Sequence, residues 1–577
     1  MQRAKNLSDF ANADIISLDF ETVSLVDRTV ELFSIATVQG DWRNENDILA
    51  GAFLPDELPK LLDFLKGRRV VFHNAKFDCL ILIENGFNLW EFEPEDTMLM
   101  CHLLDENQSS ALKVRASTDL GMQMEDWDAE KANAFRNGQR DAYIDYAIKD
   151  AVATIRLFHG YRAEIKKQDL VTAYKIEMKA AIPITYMEYN GIGFDALKAE
   201  ELKVLAMGQK RHFEDEIFIS AGYAFAPSKP RELGIYLYDD LGIPYKPEYS
   251  KGMKTNARSV SKKVLGEVRY ALDNGKNEEL LKKLDDILGW KTMNKLVTSF
   301  FKKQREFSEI YGDGKVHANY NQVAIVTGRI GVTKPNLNQL PANPILPDKP
   351  ATNIRCMYIP SKGCKFVGAD YSQIELRMMA HMSNDPNMVR AYHHGIDIHQ
   401  MVADLTGISR RNAKVANFGK QYGMGPYSFA KVTHMTRSEA IKFYQDFDRQ
   451  FPGQADLKKA IINMVLDRGY IRMIGGRKRR LNQSVDEKGI ERMFTSSLIQ
   501  GSSAIVLKLA MIKLFDRYKN QDAKLILTVH DEVLLECEEG LEERVAQEVK
   551  QDMESAIKLR VPLEVEPKIG NNFGEVK

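Results

Sequence analysis

Two carboxylates and a histidine, His530-Asp531-Glu532, stand between two apolar runs in the stretch LILTVHDEVLLEC, residues 525–537. Each flank is typical of a short β-strand, because it is rich in Leu, Ile and Val and bounded by charge. A charged pair inside a buried strand would cost several kcal/mol unless it were paired or bound to a metal. The pattern therefore predicts either a turn with solvated acids or two strands that hold the acids against a positive charge.

A second set of acids occurs in the segments SLDFET, FHNAKFD and YAIKDA. Asp19 and Glu21 are two residues apart, so on an extended strand both would face one cleft. Asp78 follows an apolar strand, and Tyr146 and Asp150 are spaced i, i+4 on one face of a predicted helix. One acid-x-acid pair carries little information. Four acids on separate elements supply the oxygen ligands that two divalent cations need to cleave a phosphodiester with activated water.

The stretch FVGADYSQIELRMMAHMS, residues 366–383, also places an acid at the end of an apolar strand. Asp370 ends that strand, and a helical segment follows. Asp370 could meet an acid in the turn of a hairpin across a sheet. Alternatively, it could be a helix N-cap, a common use of Asp after a strand.

Four residues spaced by four, Arg410, Lys414, Phe418 and Tyr422, lie in RRNAKVANFGKQYGMG. On a helix each step rises about 6 Å and turns about 40° beyond a full circle, so the four form a winding stripe about 18 Å long. Two cations at one end and two aromatic rings at the other match the polarity of a nucleoside triphosphate. A surface helix with a half-buried aromatic edge is the alternative.

The elements that must position these residues fall into three stretches. Residues 1 to about 165 alternate strand-like and helical patterns, which predicts a mixed α/β domain. Residues from about 166 to 315 are mostly helical and Lys-rich. Strands and helices mix again from about 316 to the end.

Length and composition agree with several domains. A chain of 577 residues exceeds one core, and 44% apolar with 28% charged residues is typical of a globular protein. No apolar run approaches the roughly 20 residues of a membrane span, and the start resembles no secretion signal. Five scattered cysteines without C-x-x-C indicate reduced thiols in a cytoplasm, with neither a disulfide frame nor a zinc site.

The net charge is zero, with 80 basic and 80 acidic residues, but the charge is unevenly placed. Residues 251–305 hold 14 Lys+Arg against 6 Asp+Glu, and GGRKRR occupies residues 475–480. Solvated helix faces are the favoured interpretation of such runs, and nucleic-acid contact is the alternative.

The ordered set Asp-x-Glu, Asn-x-x-x-Asp and Tyr-x-x-x-Asp resembles the DnaQ-type 3′→5′ exonucleases, in the form fused to family A DNA polymerases. DYSQIELR, RRNAKVANFGKQYG and VHDE resemble motifs A, B and C of those polymerases, the DNA polymerase I type, and the resemblance covers almost the whole chain. It implies a multidomain α/β and α+β protein: an RNase H-like exonuclease domain followed by a right-hand polymerase domain. The implied boundaries are exonuclease 1–165, helical linker 166–195, thumb 196–315, palm 316–384, fingers 385–488 and palm 489–577.

The resemblance also implies a role for each residue. Asp370, Asp531 and the carbonyl of Tyr371 would bind two Mg²⁺ for two-metal phosphoryl transfer. Asp19, Glu21, Asp78 and Asp150 would bind two more (Mn²⁺ is an alternative metal), and Tyr146 would orient the attacking water. The nucleotide would contact Arg410, Lys414, Phe418, Tyr422, Glu375, His399 and Gln373, with Lys414 as proton donor and Glu375 against the C2′ side of the sugar. Primer–template DNA would contact Arg329, Arg492, Gln500 and His530, and the basic 251–305 stretch would grip its phosphates.

We therefore expect a DNA-templated DNA polymerase with 3′→5′ proofreading, a cytoplasmic monomer acting on primer–template DNA and dNTPs. A compact form without a 5′-nuclease domain resembles phage replicases, and a bacterial repair polymerase or exonuclease is the alternative. The sequence identifies no helicase, primase or single-strand-binding partner. Intact motifs argue against a decayed polymerase and a silent DNA-binding protein, and Glu375 argues against an RNA polymerase. The segment between His399 and Arg410 is shorter than in the bacterial enzymes, and Ser496 stands where the family often has Asn.

Overall fold

The computed structural model describes residues 1–125, 129–139, 141–245, 258–272, 277–433, 435–520 and 522–576. The N-terminal unit, residues 1–167, contains strands β1 Gln2–Arg3, β2 Ile15–Thr22, β3 Val30–Val38, β4 Ile48–Phe53, β5 Arg69–Phe72 and β6 Glu93–Asp96. Its helices are α1 Leu58–Leu65, α2 Ala75–Glu84, α3 Thr97–Leu104, α4 Leu112–Leu120, α5 Ala129–Arg136 and α6 Asp141–Lys167.

Helix α7, Val171–Asn190, leads out of this unit into the rest of the chain. The following helical unit, residues 192–309, contains β7 Ile192–Phe194, α8 Ala196–Ala221, α9 Pro230–Ile235, α10 Lys262–Leu272, α11 Glu278–Lys295 and α12 Phe301–Glu309.

The C-terminal unit spans residues 315–576. Its strands are β8 Lys315–Val316, β9 Asn319–Asn321, β10 Gly331–Thr333, β11 Tyr358–Ile359, β12 Cys364–Tyr371, β13 Tyr470–Arg472, β14 Lys478–Arg480, β15 Ala523–Val529, β16 Glu532–Glu538 and β17 Val565–Gly570. Its helices are α13 Ile374–Ser383, α14 Pro386–His393, α15 Ile398–Thr406, α16 Arg410–Gln421, α17 Pro426–Thr433, α18 Arg437–Gln450, α19 Pro452–Arg468, α20 Glu487–Tyr518 and α21 Glu542–Glu554.

The sheet of the N-terminal unit has the strand order β1-β4-β3-β2-β5-β6. Strand β2 pairs antiparallel with β3 and parallel with β5, so it lies inside the sheet. Helix α6 packs across β2 and β3. This arrangement brings Asp19 and Glu21 of β2 next to Asp150 of α6.

Four strands in the order β15-β16-β12-β17 form the main sheet of the C-terminal unit. Their inward side chains are buried Leu, Ile, Val and Phe, which join a large core with α13, α20 and α21. The helical unit has a separate core between α8, α9, α10 and α11. Separate cores are expected when a chain is too long for one.

Helix α7 connects two of these cores. Ile182 and Tyr186 pack against the core of the N-terminal unit, whereas Ile184 and Met187 belong to the core of the C-terminal unit. The helix is therefore apolar on more than one face, as expected for a helix buried between units.

The cluster GGRKRR is neither a solvated helix face nor a free basic patch, and that interpretation was wrong. Arg477 and Arg479 are buried, and residues 475–480 form the turn and the second strand of the β13–β14 hairpin. Arg479 binds Glu106 of the N-terminal unit at 3.0 Å, and Arg477 binds Glu177 of α7 at 3.1 Å. Lys508 is the second cation bound to Glu177, at 2.7 Å. These buried charges are paired, as burial requires, and they join the units.

Two further sequence predictions concern charge and apolarity. Part of the basic 251–305 stretch, namely 251–257 and 273–276, lies outside the described residues. Helix α20 has the length and apolarity of a membrane span, but 72% of its most apolar window is buried inside the protein. Its buried apolar side chains belong to the main core of the C-terminal unit and to a smaller cluster with α19 and β13.

Candidate active sites

Three of the four predicted exonuclease acids form one cluster. Carboxylate oxygens of Asp19, Glu21 and Asp150 all lie within 4.8 Å of one another. Alternation along β2 points the first two the same way, and α6 places the third opposite them. Asp78 lies behind the cluster in the first turn of α2, where its Oδ1 accepts a hydrogen bond from the backbone N–H of Phe20 at 3.1 Å.

Burial and mutual repulsion oppose ionisation of these acids. Burial raises the pKa of Glu21 to about 8, with a further contribution from Asp150. Burial also raises the pKa of Asp150 to about 6 and moves the pKa of Asp19 and of Asp78 well above the ordinary value. Burial is the largest cause of each shift, and repulsion from neighbouring acids adds to it for Asp19, Glu21 and Asp78.

The neighbouring tyrosines and one lysine complete this site. Tyr146 hydrogen bonds to Asp150, which lowers the pKa of that carboxyl. Tyr143 donates to Glu21 at 3.3 Å, and its ring is stacked on that of Tyr146. Lys113 of α4 places its Nζ 5.0 Å from the centre of the Tyr146 ring. Sequence reasoning missed Tyr143 and Lys113; only the i, i+7 spacing of Tyr143 and Asp150 on one helix could have indicated the first.

The second candidate site lies at one end of the main sheet of the C-terminal unit. Strands β15 and β16 form a hairpin whose two-residue turn is His530-Asp531, with His530 at φ +59°. Across the sheet, Asp370 of β12 pairs directly with Glu532, the residue after the turn. Asp370 is exposed and Glu532 is 2% exposed. Asp370 is not a helix N-cap, because β12 continues to Tyr371 and the cap of α13 is Gln373.

A cavity of about 470 Å³ opens over this end of the sheet. Its lining includes most residues that the sequence predicted for the polymerase site: Arg329, Asp370, Tyr371, Gln373, Glu375, His399, Arg410, Lys414, Phe418, His530 and Asp531. Its volume lies within the range of about 300–1,000 Å³ that is usual for small-molecule sites. Cations from α16 therefore face carboxylates from the sheet across one space.

Helix α16 begins at Arg410 with Ser409 as its N-cap, so the four-residue spacing places Arg410, Lys414 and Phe418 on the face that lines the cavity. Tyr422 is the C-cap residue of α16. The described lining of the cavity does not include Tyr422, Arg492 or Gln500. Arg492 packs against Gly423, beside Tyr422, and Gln500 is half-buried in α20.

Several cavity residues bind one another. Arg410 donates to Asp397 through Nε at 2.9 Å and Nη2 at 2.6 Å, and Asp397 also caps α15. Arg329 donates to Glu375. The side chain of Asn417 contacts Nδ1 of His399 at 2.8 Å. Burial lowers the pKa of His399, which favours its neutral imidazole.

Both sites have donor sets that fit hard divalent cations. At the N-terminal site the donors are carboxylates, and Oδ1 of Asp150 is buried with no hydrogen-bond partner among the described residues. At the C-terminal site, Asp370 and Asp531 supply carboxylates and Tyr371 a carbonyl at the same end of the sheet. Oxygen-only sets of this kind suit Mg²⁺ or Mn²⁺ rather than zinc.

Comparison with known proteins places these sites in a family. The model of "DNA polymerase family A" matches residues 198–575, and the model of "3'-5' exonuclease" matches residues 2–166. The fold is similar over its whole length to the polymerase domain of Pol1 from M. smegmatis, solved with DNA primer–template and dNTP, with a TM-score of 0.84 and 24% identity. The fold is that of a right-hand polymerase preceded by an RNase H-like exonuclease domain. The chain belongs to DNA polymerase family A.

Curated relatives extend this comparison. DNA polymerase I of Borreliella burgdorferi is 29% identical over 99% of this chain and 63% of its own length. The thermostable DNA polymerase I of Thermus thermophilus is 31% identical over 90% of this chain and 60% of its own length. The chain therefore spans less than two thirds of these relatives.

Proposed function

We propose that this chain extends the 3′ end of a DNA primer with dNTPs on a DNA template and removes misincorporated nucleotides with a separate 3′→5′ exonuclease site. The observation that carries the proposal is the cavity that joins Asp370 and Asp531 to the cations and the aromatic ring of α16. The carboxylate cluster of the N-terminal unit supplies the second centre. Membership of DNA polymerase family A and the match to the exonuclease family support both activities.

At the polymerase site, Asp370, Asp531 and the Tyr371 carbonyl would hold two Mg²⁺. When bound, these ions would favour the deprotonated 3′-hydroxyl and neutralise the charge of the triphosphate. Attack of the 3′-oxygen on the α-phosphorus forms one P–O bond and breaks the bond to pyrophosphate. Lys414 donates a proton to the departing pyrophosphate, and Arg410 exchanges Asp397 for a phosphate oxygen.

The other cavity residues position the nucleotide and the primer. Phe418 offers a ring face near the base and sugar, and Glu375 stands beside the C2′ position, where a ribose hydroxyl would clash. His399 is held by Asn417 and can donate to a phosphate from its other nitrogen, Nε2. Tyr422, Arg492 and Gln500 lie further along α16 and α20, where a template base and the minor groove would pass. His530 is exposed at the hairpin tip, where it would touch the primer end.

At the exonuclease site, Asp19, Glu21, Asp78 and Asp150 would hold two further divalent cations. The fit rests on the buried, mutually repelling carboxylates described above. Tyr146 orients the water that attacks the last phosphodiester, which breaks the bond to the terminal nucleotide and leaves a new 3′-hydroxyl. Asp78, tied to the backbone of β2, fixes the strand that carries the other two acids.

The domain boundaries in the order exonuclease, linker, thumb, palm, fingers and palm remain part of the proposal, as do a monomeric state and a cytoplasmic location. A replicative role in a phage-like element is one candidate. A role as a polymerase of a bacterial host is the second, and the similarity to bacterial DNA polymerase I favours it. Extension of a primed single-stranded circle distinguishes them, because a replicative enzyme should make long products in one binding event.

The direct test of the proposed function uses a 5′-labelled primer annealed to a longer template. With Mg²⁺ and dNTPs the primer should lengthen, and with Mg²⁺ alone it should shorten from its 3′ end. EDTA should stop both reactions. Extension without shortening, or shortening without extension, would contradict the proposal of two active centres.

A further inference from the structure

A groove of about 690 Å³ lies outside both proposed active sites, between the C-terminal end of α6, the N-terminal end of α7 and the strand β6. Its floor is apolar and includes the buried side chains of Phe92, Ile165 and Met178. Val171 at the first position of α7 is 38% exposed in the lining. A concave apolar floor of this size is typical of a ligand or peptide site.

Four exposed cations line the groove: Arg162 and Lys166 on α6, and Lys175 and Lys179 on α7. Within the described part of the chain, none of the four forms an ion pair. The two acids of the groove, Glu93 and Glu95, share Arg69 at 2.6 and 3.3 Å, and the five cations of the lining outnumber them by three. Because the whole chain has a net charge of zero, this positive excess is local to the groove.

The placement of these cations is unfavourable for the free chain. Each helix carries two like charges at i, i+4, which repel by a few tenths of a kcal/mol. An anionic partner between the two helices would relieve this repulsion.

We propose that this groove binds an acidic peptide segment of a partner protein. The peptide places an apolar side chain on the floor, and its carboxylates face the cations of α6 and α7. The site is separate from the exonuclease centre, because Arg162 follows Asp150 by twelve residues on α6, a distance of about 18 Å along the helix. A partner bound there would be held beside the exonuclease domain without covering its carboxylates.

A β-strand added to the sheet edge and a single-stranded nucleic acid both fit the groove less well. Strand addition to the sheet edge is disfavoured, since β6 is the edge strand and Pro94 at its centre lacks a backbone N–H. Single-stranded nucleic acid binds by stacking bases on exposed rings. In this groove Phe92 is buried and Tyr174 is half-buried, so no fully exposed ring lines its described part.

The test measures fluorescence anisotropy of a short labelled peptide in which Asp and Glu alternate with Leu and Phe. The full chain should bind it, and binding should weaken as salt rises. Lys175→Glu with Lys179→Glu should weaken it about tenfold or more. Val171→Asp, at an exposed first helical position that favours an acid, should weaken it too. The matched control is Lys558→Glu with Lys568→Glu, two exposed lysines of the C-terminal unit.

A peptide with Ser in place of Leu and Phe distinguishes a built site from general attraction to positive charge. The proposal is supported if the apolar peptide binds more tightly and only the groove variants lose it. Equal binding of both peptides, or equal loss in the control variant, would overturn it. If the groove variants bound a labelled oligo(dT) more weakly than the wild type but bound the peptide equally well, the groove would be assigned to nucleic acid. That result would also overturn the proposal.

Discussion

Arg329 donates a hydrogen bond to Glu375 in the lining of the cavity over the main sheet of the C-terminal unit. The residue expected to contact primer–template DNA is thus bound to the residue expected to stand beside the incoming sugar. The side chain of Glu375 is 18% exposed and that of Arg329 is 33% exposed, so the pair is partly shielded from water. Bound primer–template DNA would compete with Glu375 for Arg329 and would thereby change the hydrogen bonding of the Glu375 carboxylate.

Glu375→Ala should weaken selection against ribonucleotides. Removing the carboxylate opens space beside C2′, so the ratio of rNTP to dNTP insertion should rise about tenfold or more. Overall insertion should also slow, because Arg329 loses its partner. The measurement is single-nucleotide insertion on one primer–template, in an exonuclease-silent background. Glu538→Gln, at the far end of β16, is the control, and an unchanged ratio in Glu375→Ala would refute the sugar-selection role.

Phe418→Tyr should increase the use of dideoxynucleotides. The Phe418 ring lines the cavity and lies 5.8 Å from the ring of His399. A tyrosine hydroxyl there would replace the hydrogen bond lost when a nucleotide has no 3′-hydroxyl, worth about 1 kcal/mol. The ddNTP:dNTP insertion ratio should therefore rise several-fold. No change in this ratio would remove Phe418 from the nucleotide pocket.

Glu177→Gln should destabilise the junction between the units. Glu177 is buried and pairs with Arg477 and Lys508, so its loss leaves two buried cations short of a partner, at a cost of about 3–5 kcal/mol. The melting temperature at pH 7 should fall clearly. Glu201→Gln, at an exposed position of α8, should leave it unchanged. A melting temperature of Glu177→Gln equal to that of the wild type would contradict a stabilising role for the network of Glu177, Arg477 and Lys508.

The same residue predicts a pH dependence. Its cations hold the pKa of Glu177 below the ordinary value, although burial opposes them. A carboxylate with a lowered folded-state pKa stabilises the protein above the unfolded-state pKa of about 4.3, and that stabilisation is lost as the pH falls through the folded-state pKa. Melting temperatures recorded from pH 7 to pH 3 should fall more steeply below about pH 4.3 for the wild type than for Glu177→Gln. Parallel curves would contradict this.

Local pattern was enough to predict the two strands that flank His530-Asp531 and the shared face of Asp19 and Glu21, whereas the choice between a solvated turn and a charge-binding site stayed open. In both cases a short apolar run defines a strand, and the strand defines the direction of its side chains. Family resemblance added the sites that join distant segments. The N-cap alternative for Asp370 was wrong because the strand runs one residue further, a boundary that pairing with β16 and β17 determines.

The buried arginines of GGRKRR could not be predicted from local sequence. Their partners Glu177 and Glu106 lie 300 and 373 residues away from Arg477 and Arg479. A charge run next to glycines is indistinguishable from a solvated surface until the tertiary fold supplies those acids. Tyr143 was missed for a related reason: its contact with Glu21 exists only once α6 packs on β2.

The most direct test of two independent catalytic centres compares two variants on one labelled primer–template. Asp19→Ala with Glu21→Ala should abolish degradation of the 3′ end and leave extension intact. Asp531→Asn should reduce extension by orders of magnitude and leave degradation intact, because charge at the proposed metal-binding position would supply much of the catalysis. Both proteins should keep the wild-type melting temperature or exceed it in EDTA, since each change removes repulsion between acids. If either folded variant lost both activities together, the account of two separate centres would be wrong.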